Sequence, residues 1–555
     1  MKKLFTLFLA LALFLVPVAS SFAATFITAK KSGDFYYELL EDGTVAITSY
    51  AGKKDKVSVP DKIKGKKVTV IRNGAFFAAG KEKAPSQVKL PKTLIRIEKG
   101  AFQESKITSI EIPDSVEYIG EYAFSMCDNL KTVTIGRGVR EIPGNPFVFS
   151  LALEEIRVAE DHPALEVIDG MLFSKEDHCL ISCPYLRSAA EEAVTVPEGT
   201  EIIGELAFAW NEMMTGVSLP DSLREIRDNA FTLCGEVTEM YLPAGVETLG
   251  LQSIYNNGIT NLTVAEDNPY FHLTDGVLYS TDNTKLVWVP WYLELGEYVI
   301  PDSVTEICQG AFSSDITLER VTIPESVTVI GRSAFSFCTS LRELTLPGNL
   351  ASIGESAFEG CDGLEELAIP DTVREIGEKA FMGCSSLRSI RIPEGVPAIL
   401  FGTFLNTENL EEAFLPESVI SIGNKAFLGS GIIRIHFAEG LETIGENAFD
   451  SCRRMEDFTL PSSIRSIGDL AFQECESLTE VTLPEGLEEI GWEIFSGCVN
   501  LSVIRFPASL QDFNSNIAGT GNACVTIYVV KGSPAEKHYR KTKAKEIKVE
   551  YWEGN

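Results

Sequence analysis

The chain has 555 residues, is 45% hydrophobic and carries a formal net charge of -31. A charge of that sign and size argues against nucleic acid and anionic membrane surfaces as partners, because both repel an acidic protein. The apolar residues are spread evenly along the chain, so a single globular core is not the expected architecture.

Residues 1–23 read as a signal peptide: a basic Met1-Lys2-Lys3 start, an apolar run over residues 4–18, then Pro17 and small residues, with cleavage expected after Ala23. The run falls short of the roughly 20 residues that a membrane anchor needs. No second apolar run follows, so the mature chain is expected to be exported and soluble. Residues 24–60 alternate polar and apolar and contain Glu41-Asp42-Gly43, a turn signal; this segment is expected to form a hairpin-bearing N-terminal cap.

Residues 61–507 repeat with a period of about 23 residues. Leu341-Arg-Glu-Leu-Thr-Leu-Pro347 leads to Ala357-Phe358; Leu364-Glu-Glu-Leu-Ala-Ile-Pro370 leads to Ala380-Phe381; Leu387-Arg-Ser-Ile-Arg-Ile-Pro393 leads to Thr403-Phe404. The L-x-x-L-x-L core predicts a short strand with one buried face, ended by a Pro that cannot donate a ladder hydrogen bond. The next segment, as in Leu350, Ile353 and Gly354, predicts a second buried piece and a glycine turn. Ala-Phe is expected in a one-turn helical or irregular stretch, with Phe filling the centre of the coil. A unit of this kind cannot bury its faces alone, so stacked copies define a β-rich repeat solenoid.

Three residues after Phe, Cys recurs at 127, 234, 338, 361, 384, 452, 475 and 498. Equivalent side chains on stacked rungs point the same way, whereas a disulfide needs converging Cβ vectors. A ladder of small buried thiols is therefore favoured over disulfides between rungs. Cys179 and Cys183 lie outside the ladder and read as a local disulfide or as free thiols.

Two longer units, near 158–197 and 264–301, share Val-Ala-Glu-Asp-(His or Asn)-Pro followed by Asp-Gly at 169–170 and 275–276. Asp-Gly between apolar runs predicts a hairpin. A calcium loop is disfavoured, because the acidic spacing lacks D-x-D-x-D-G. Residues 508–555 are expected to form a C-terminal cap with strands at 525–530 and 547–551 and a short helix between them.

The unit L-x-x-[VIL]-x-[IL]-P-x-[SG]-[VL]-x-x-I-G-x-x-A-F-x-x-C resembles the BspA-like class of bacterial leucine-rich repeats. Residues 341–361 show it almost complete, and residues 478–498 show it with Ile494 in place of Ala. The Asp-Gly-Val-Leu-Tyr hairpin and the Val-Lys-Gly-Ser-x-Ala-Glu-Lys ending at 530–537 are similar to family members. The resemblance implies a secreted or surface protein linked to adhesion or to binding host proteins. It does not fix a ligand.

The residue between the last two buried positions of each strand should face outward. Most of these are small or Thr, but Arg391, Phe414 and His436 on successive rungs break the pattern, and Arg434 extends them. An exposed aromatic beside Arg has the composition of an interaction hot spot. No G-x-S-x-G, H-E-x-x-H, P-loop or Rossmann glycine run occurs, and no catalytic residue, metal site or cofactor is expected. The expected function is binding of an extracellular protein or glycan; a structural spacer of the envelope and a secreted hydrolase are the alternatives.

Overall fold

The structure, a computed structural model, describes residues 29–78, 84–185, 193–211, 213–234, 236–254, 259–510, 517, 525–541 and 547–552. The signal peptide expected at 1–23 lies outside these residues, as does Cys524. The chain divides into two compact units, Met1–Pro269 and Tyr270–Asn555. Both are β-solenoids, and no helix among the described residues is long and apolar enough to cross a membrane.

Most rungs contribute two short strands to two parallel stacks, the first of which is interrupted at residues 364–370 and 455–461. In the rung around Phe358, Glu343–Thr345 pairs in parallel with Arg320–Thr322 of the preceding rung. Ser352–Ile353 pairs in parallel with Val329–Ile330 before it and Glu375–Ile376 after it. The register places residues about one period apart side by side, so chemically equivalent side chains line up along the stack. Leu341, Leu346, Leu350, Ile353, Ala357, Phe358 and Cys361 all point inward and are buried in one continuous cluster. The Phe rings form a column down that core. Phe358 lies between Phe335 and Phe381 at centroid distances of 5.3 and 5.6 Å, with ring planes within 3° of parallel.

The Ala-Phe stretch is a turn rather than a helix, and its backbone explains why. Ser356 before it and Gly360 after it both take left-handed φ values, 52° and 68°. A right-handed helix cannot pass through either position. The freed amides run along the stack instead: Ser356 N donates to Glu378 O, Phe358 N to Ala380 O and Gly360 N to Met382 O, each at 2.8 Å. This third side of the rung is therefore also laddered to its neighbour.

The Ile-Gly glycine corrects the turn reading. Gly354, Gly377 and Gly468 are absent from the left-handed positions. A Cβ added at Gly354 would sit 2.6 Å from Arg332 N, and one at Gly377 2.3 Å from Glu355 N, both backbone atoms of the preceding rung. Glycine is required there for close approach of backbones, not for φ freedom.

The cysteine ladder consists of buried free thiols. Each donates to the carbonyl of the Phe one rung earlier: Cys338 to Phe312, Cys361 to Phe335, Cys384 to Phe358 and Cys475 to Phe449, at 3.1–3.2 Å. Where the position is Ser150, its hydroxyl serves Phe124 O at 2.6 Å. Where it is Thr407, the hydroxyl bonds Phe404 O at 2.8 Å. The position thus calls for a small donor in an apolar setting, and a thiol supplies one at low desolvation cost. Cys179 is also a buried free thiol, so the local disulfide with Cys183 is not formed. Burial pushes the Cys384 and Cys452 thiols up to about 12, leaving almost no reactive thiolate at ordinary pH. Native protein is expected to resist iodoacetamide at the ladder cysteines, whereas denatured chain should react fully. Intact-mass spectrometry reads the difference, and rapid native alkylation at any ladder position would contradict it.

The two long units carry antiparallel hairpins. Leu165–Ile168 pairs with Met171–Ser174 around Asp169-Gly170, and Phe271–Thr274 with Val277–Ser280 around Asp275-Gly276. All four turn residues have positive φ, 48° and 77° in the first pair and 51° and 80° in the second. That is the geometry an Asp-Gly two-residue hairpin turn requires. Just before the first hairpin, buried His162 accepts from the amides of Ala164 and Leu165 through Nδ1, at 3.2 and 3.0 Å. Its Nε2 lies 3.1 Å from Gly136 O. Asn268 occupies the matching place in the second long unit and donates to Pro243 O and Val246 O.

Burial holds the His162 pKa below its ordinary 6.5, so the folded chain keeps it neutral while the unfolded chain protonates. The contribution is complete above pH 6.5 and lost as pH falls through the folded pKa. Thermal melts of the parent are expected to fall across that window more steeply than those of His162→Asn, which supplies a neutral side chain as Asn268 does. Parallel pH curves for the two proteins would refute this account.

At the C-terminal end, Val525–Val530 stacks on Val503–Arg505 and then on Ile547–Trp552, all parallel. The helix Pro534–Lys541 between them begins at Ser533, whose hydroxyl accepts the Glu536 amide at 3.2 Å. Glu536 reaches back to the Gly532 amide at 2.6 Å. This reciprocal capping fixes the helix start.

Candidate binding face

Arg391, Phe414, His436 and Arg434 come from three adjacent parallel strands of the Tyr270–Asn555 unit: Ser389–Arg391, Glu412–Phe414 and Arg434–His436. The central residue of each strand, Ile390, Ala413 or Ile435, is buried, so its flanking residues must face out. Register then builds two outward columns. Arg391, Phe414 and His436 are direct neighbours in one, and Ser389, Glu412 and Arg434 in the other. All four residues expected from the sequence are thus brought together.

The Phe414 ring lies flat on the His436 imidazole, with centroids 4.4 Å apart and planes 3° from parallel. Phe414 keeps 36% of its surface exposed. One residue that sequence reasoning missed organises the face. Glu412 Oε1 accepts from His436 Nε2 at 3.0 Å and from Arg434 Nε at 3.4 Å. The imidazole first, and then the guanidinium, hold the Glu412 carboxyl below the usual range. These partners are exposed, so their ion pairs are worth little in stability; they orient the imidazole that supports the Phe414 ring. A signal for Glu412 was present, since it precedes Phe414 by two residues and so shares its outward face. Arg391, by contrast, has no ion pair or hydrogen bond from its exposed guanidinium among the described residues.

The result is a flat aromatic shelf with an uncommitted guanidinium on one side and a carboxylate-tethered one on the other. Such a surface can stack on a planar or apolar group and donate to carboxylate, sulfate or carbonyl oxygens. Among the described residues, no cluster of three or more His, Cys, Asp or Glu is placed to hold a metal ion.

Stacked parallel strands, an inward Phe column and a 23-residue register define a leucine-rich-repeat solenoid. The BspA type leucine rich repeat region, present in six copies, matches residues 54–179, 186–282, 291–410 and 398–518. The chain belongs to this family. No curated protein matches it in sequence.

Among solved structures, it is similar to a leucine rich cell surface protein from Faecalibacterium prausnitzii A2-165. The identity is 24% over 74% of this chain and 95% of that one, with a TM-score of 0.35. A leucine-rich repeat protein from Bacteroides ovatus is 21% identical over 94% of this chain and 99% of that one, with a TM-score of 0.31. The pneumococcal vaccine antigen PcpA is 18% identical over 95% of this chain and 98% of that one, with a TM-score of 0.31.

Proposed function

We propose that this chain is an exported binding module that acts outside the cell by holding a protein or glycan ligand, and that it acts by binding rather than by turnover. The observation that carries this reading is the shelf around Phe414: an aromatic ring held flat by His436 on a rigid sheet, beside the unpartnered Arg391. A preorganised aromatic next to arginine loses little entropy when a ligand docks. The apolar run at residues 4–18 supports export, and the repeat architecture supports a surface built for recognition.

The test is binding of the purified chain to an array of extracellular matrix proteins, mucins and glycans, with an Arg391→Ala/Phe414→Ala/His436→Ala variant beside it. Saturable binding lost in the variant is expected. Phe414→Ala alone should weaken binding by about 2 kcal/mol, roughly thirtyfold, with an unchanged circular dichroism spectrum. Binding retained by the variant would move the site elsewhere, and no binding to any ligand would favour a structural role in the envelope.

A further inference from the structure

The acidic total hides a strongly basic stretch. Residues 53–99 contain fourteen Lys and Arg against four Asp and Glu. We propose that the outer face of the first parallel sheet of the Met1–Pro269 unit is a second binding site, which takes a sulfated polysaccharide.

That sheet consists of Lys56–Ser58, Gln87–Lys89, Ser109–Glu111, Thr132–Ile135 and Glu155–Val158. Val57, Val88 and Ile110 are buried beneath it, so Lys56, Ser58, Gln87, Lys89 and Ser109 face out. With Lys92 from the following turn, these residues line an open groove of about 1480 Å³. Among the described residues, the ammonium groups of Lys56, Lys89 and Lys92 have no carboxylate partner.

Most acidic residues nearby are already engaged; Glu111, on the third strand, also lines the groove and offsets part of the lysine charge, leaving a net positive charge on the first two strands. Asp61 Oδ1 accepts the Lys92 amide at 2.8 Å, and Glu98 is paired with Arg72. The Asp61 bond also ties the base of the Lys62–Ile63/Lys66–Ile71 hairpin beside Lys92. In that hairpin Lys62 lies directly opposite Lys67. Like charges opposed across strands destabilise a hairpin, and a bound polyanion relieves the repulsion. At the far end of the groove, Arg137 and Arg157 are neutralised by Asp161 and Glu155. The uncompensated charge is therefore concentrated on the first two strands and the adjoining hairpin.

The chemistry favours a linear, polar polyanion. Lysines supply mobile point charges for sulfate groups, and the Ser58, Gln87 and Ser109 side chains suit sugar hydroxyls. The groove lining holds no aromatic ring on which a nucleic-acid base could stack. The acidic remainder of the chain does not cancel this local field, because charges beyond about 8 Å are largely screened at physiological salt.

The test uses the full chain with immobilised heparin, chemically desulfated heparin, duplex DNA and phosphatidylserine vesicles. Saturable binding to heparin alone is expected. Lys56→Gln/Lys89→Gln/Lys92→Gln should weaken it about tenfold or more and flatten its salt dependence, as fewer counterions are released. Lys62→Gln/Lys67→Gln, at exposed hairpin positions, should weaken it by a smaller factor. The Arg391→Ala/Phe414→Ala/His436→Ala variant should bind heparin as the parent does, which separates this site from the Phe414 face. Unchanged affinity in the lysine variants, equal binding to desulfated heparin, or tighter binding to DNA or vesicles would each overturn the proposal.

Discussion

Phe358→Ala is expected to destabilise the Tyr270–Asn555 unit by about 3–5 kcal/mol, the range for deleting a fully buried ring whose cavity cannot collapse. The ring is fully buried, with parallel Phe neighbours on both sides. Collapse is resisted because ladders hold the rung spacing: the second strand stack on both sides, the first strand stack toward the preceding rung, and the amides donating at the Ala-Phe turn. The neighbouring rings cannot close the gap without breaking backbone hydrogen bonds. In an array where each rung contacts only its neighbours, the loss should be local. Hydrogen exchange is expected to quicken in rungs 335–381 before distant ones, and the urea unfolding midpoint to fall. Phe358→Leu, which refills most of the volume, should recover much of the loss. A midpoint for Phe358→Ala matching the parent, or exchange that quickens uniformly along the unit, would show that the column does not support the rungs in this way.

The repeat period, the inward Phe and the buried Cys were legible because stacking turns one rule into many copies; a position repeated at Phe335, Phe358 and Phe381 is read several times over. The strand of L-x-x-L-x-L was legible because its period-two pattern has a single physical solution. The C-terminal elements were legible for the same reason, since Val525–Val530 alternates buried and half-buried side chains. The left-handed residues were not. Ser356, Lys379 and Leu470 take φ values of 52°, 55° and 57° at positions where nothing in their side chains signals it, because the rung ladder imposes the geometry. In the candidate face, Arg391, Phe414 and His436 stood out by composition. The role of Glu412 depended on register across a 22-residue step to Arg434, which pattern alone does not supply. The basic sheet face was masked by the net charge of -31, an average that says nothing about distribution.

The second large effect concerns Gly377, and it separates two reasons for using glycine. Gly377→Ala keeps an ordinary φ but places a Cβ 2.3 Å from Glu355 N and 2.6 Å from Gly354 C. Both are backbone atoms of a rung already bonded through Gly377 N to Ile353 O at 2.9 Å. No side-chain rotation relieves that clash, so the rungs must part and the ladder bond must lengthen. The expected cost is about 3 kcal/mol, the upper end for overpacking, with the loss of a ladder hydrogen bond adding to it. Gly383→Ala is the control of opposite kind. Gly383 has φ of 70°, but its added Cβ meets nothing closer than 3.7 Å, so it pays only the left-handed penalty of about 1–2 kcal/mol. Urea denaturation of the two single variants should rank Gly377→Ala well below Gly383→Ala. The reverse order would mean that φ, not backbone contact, explains the Ile-Gly position, and that the turn reading of the motif was right after all.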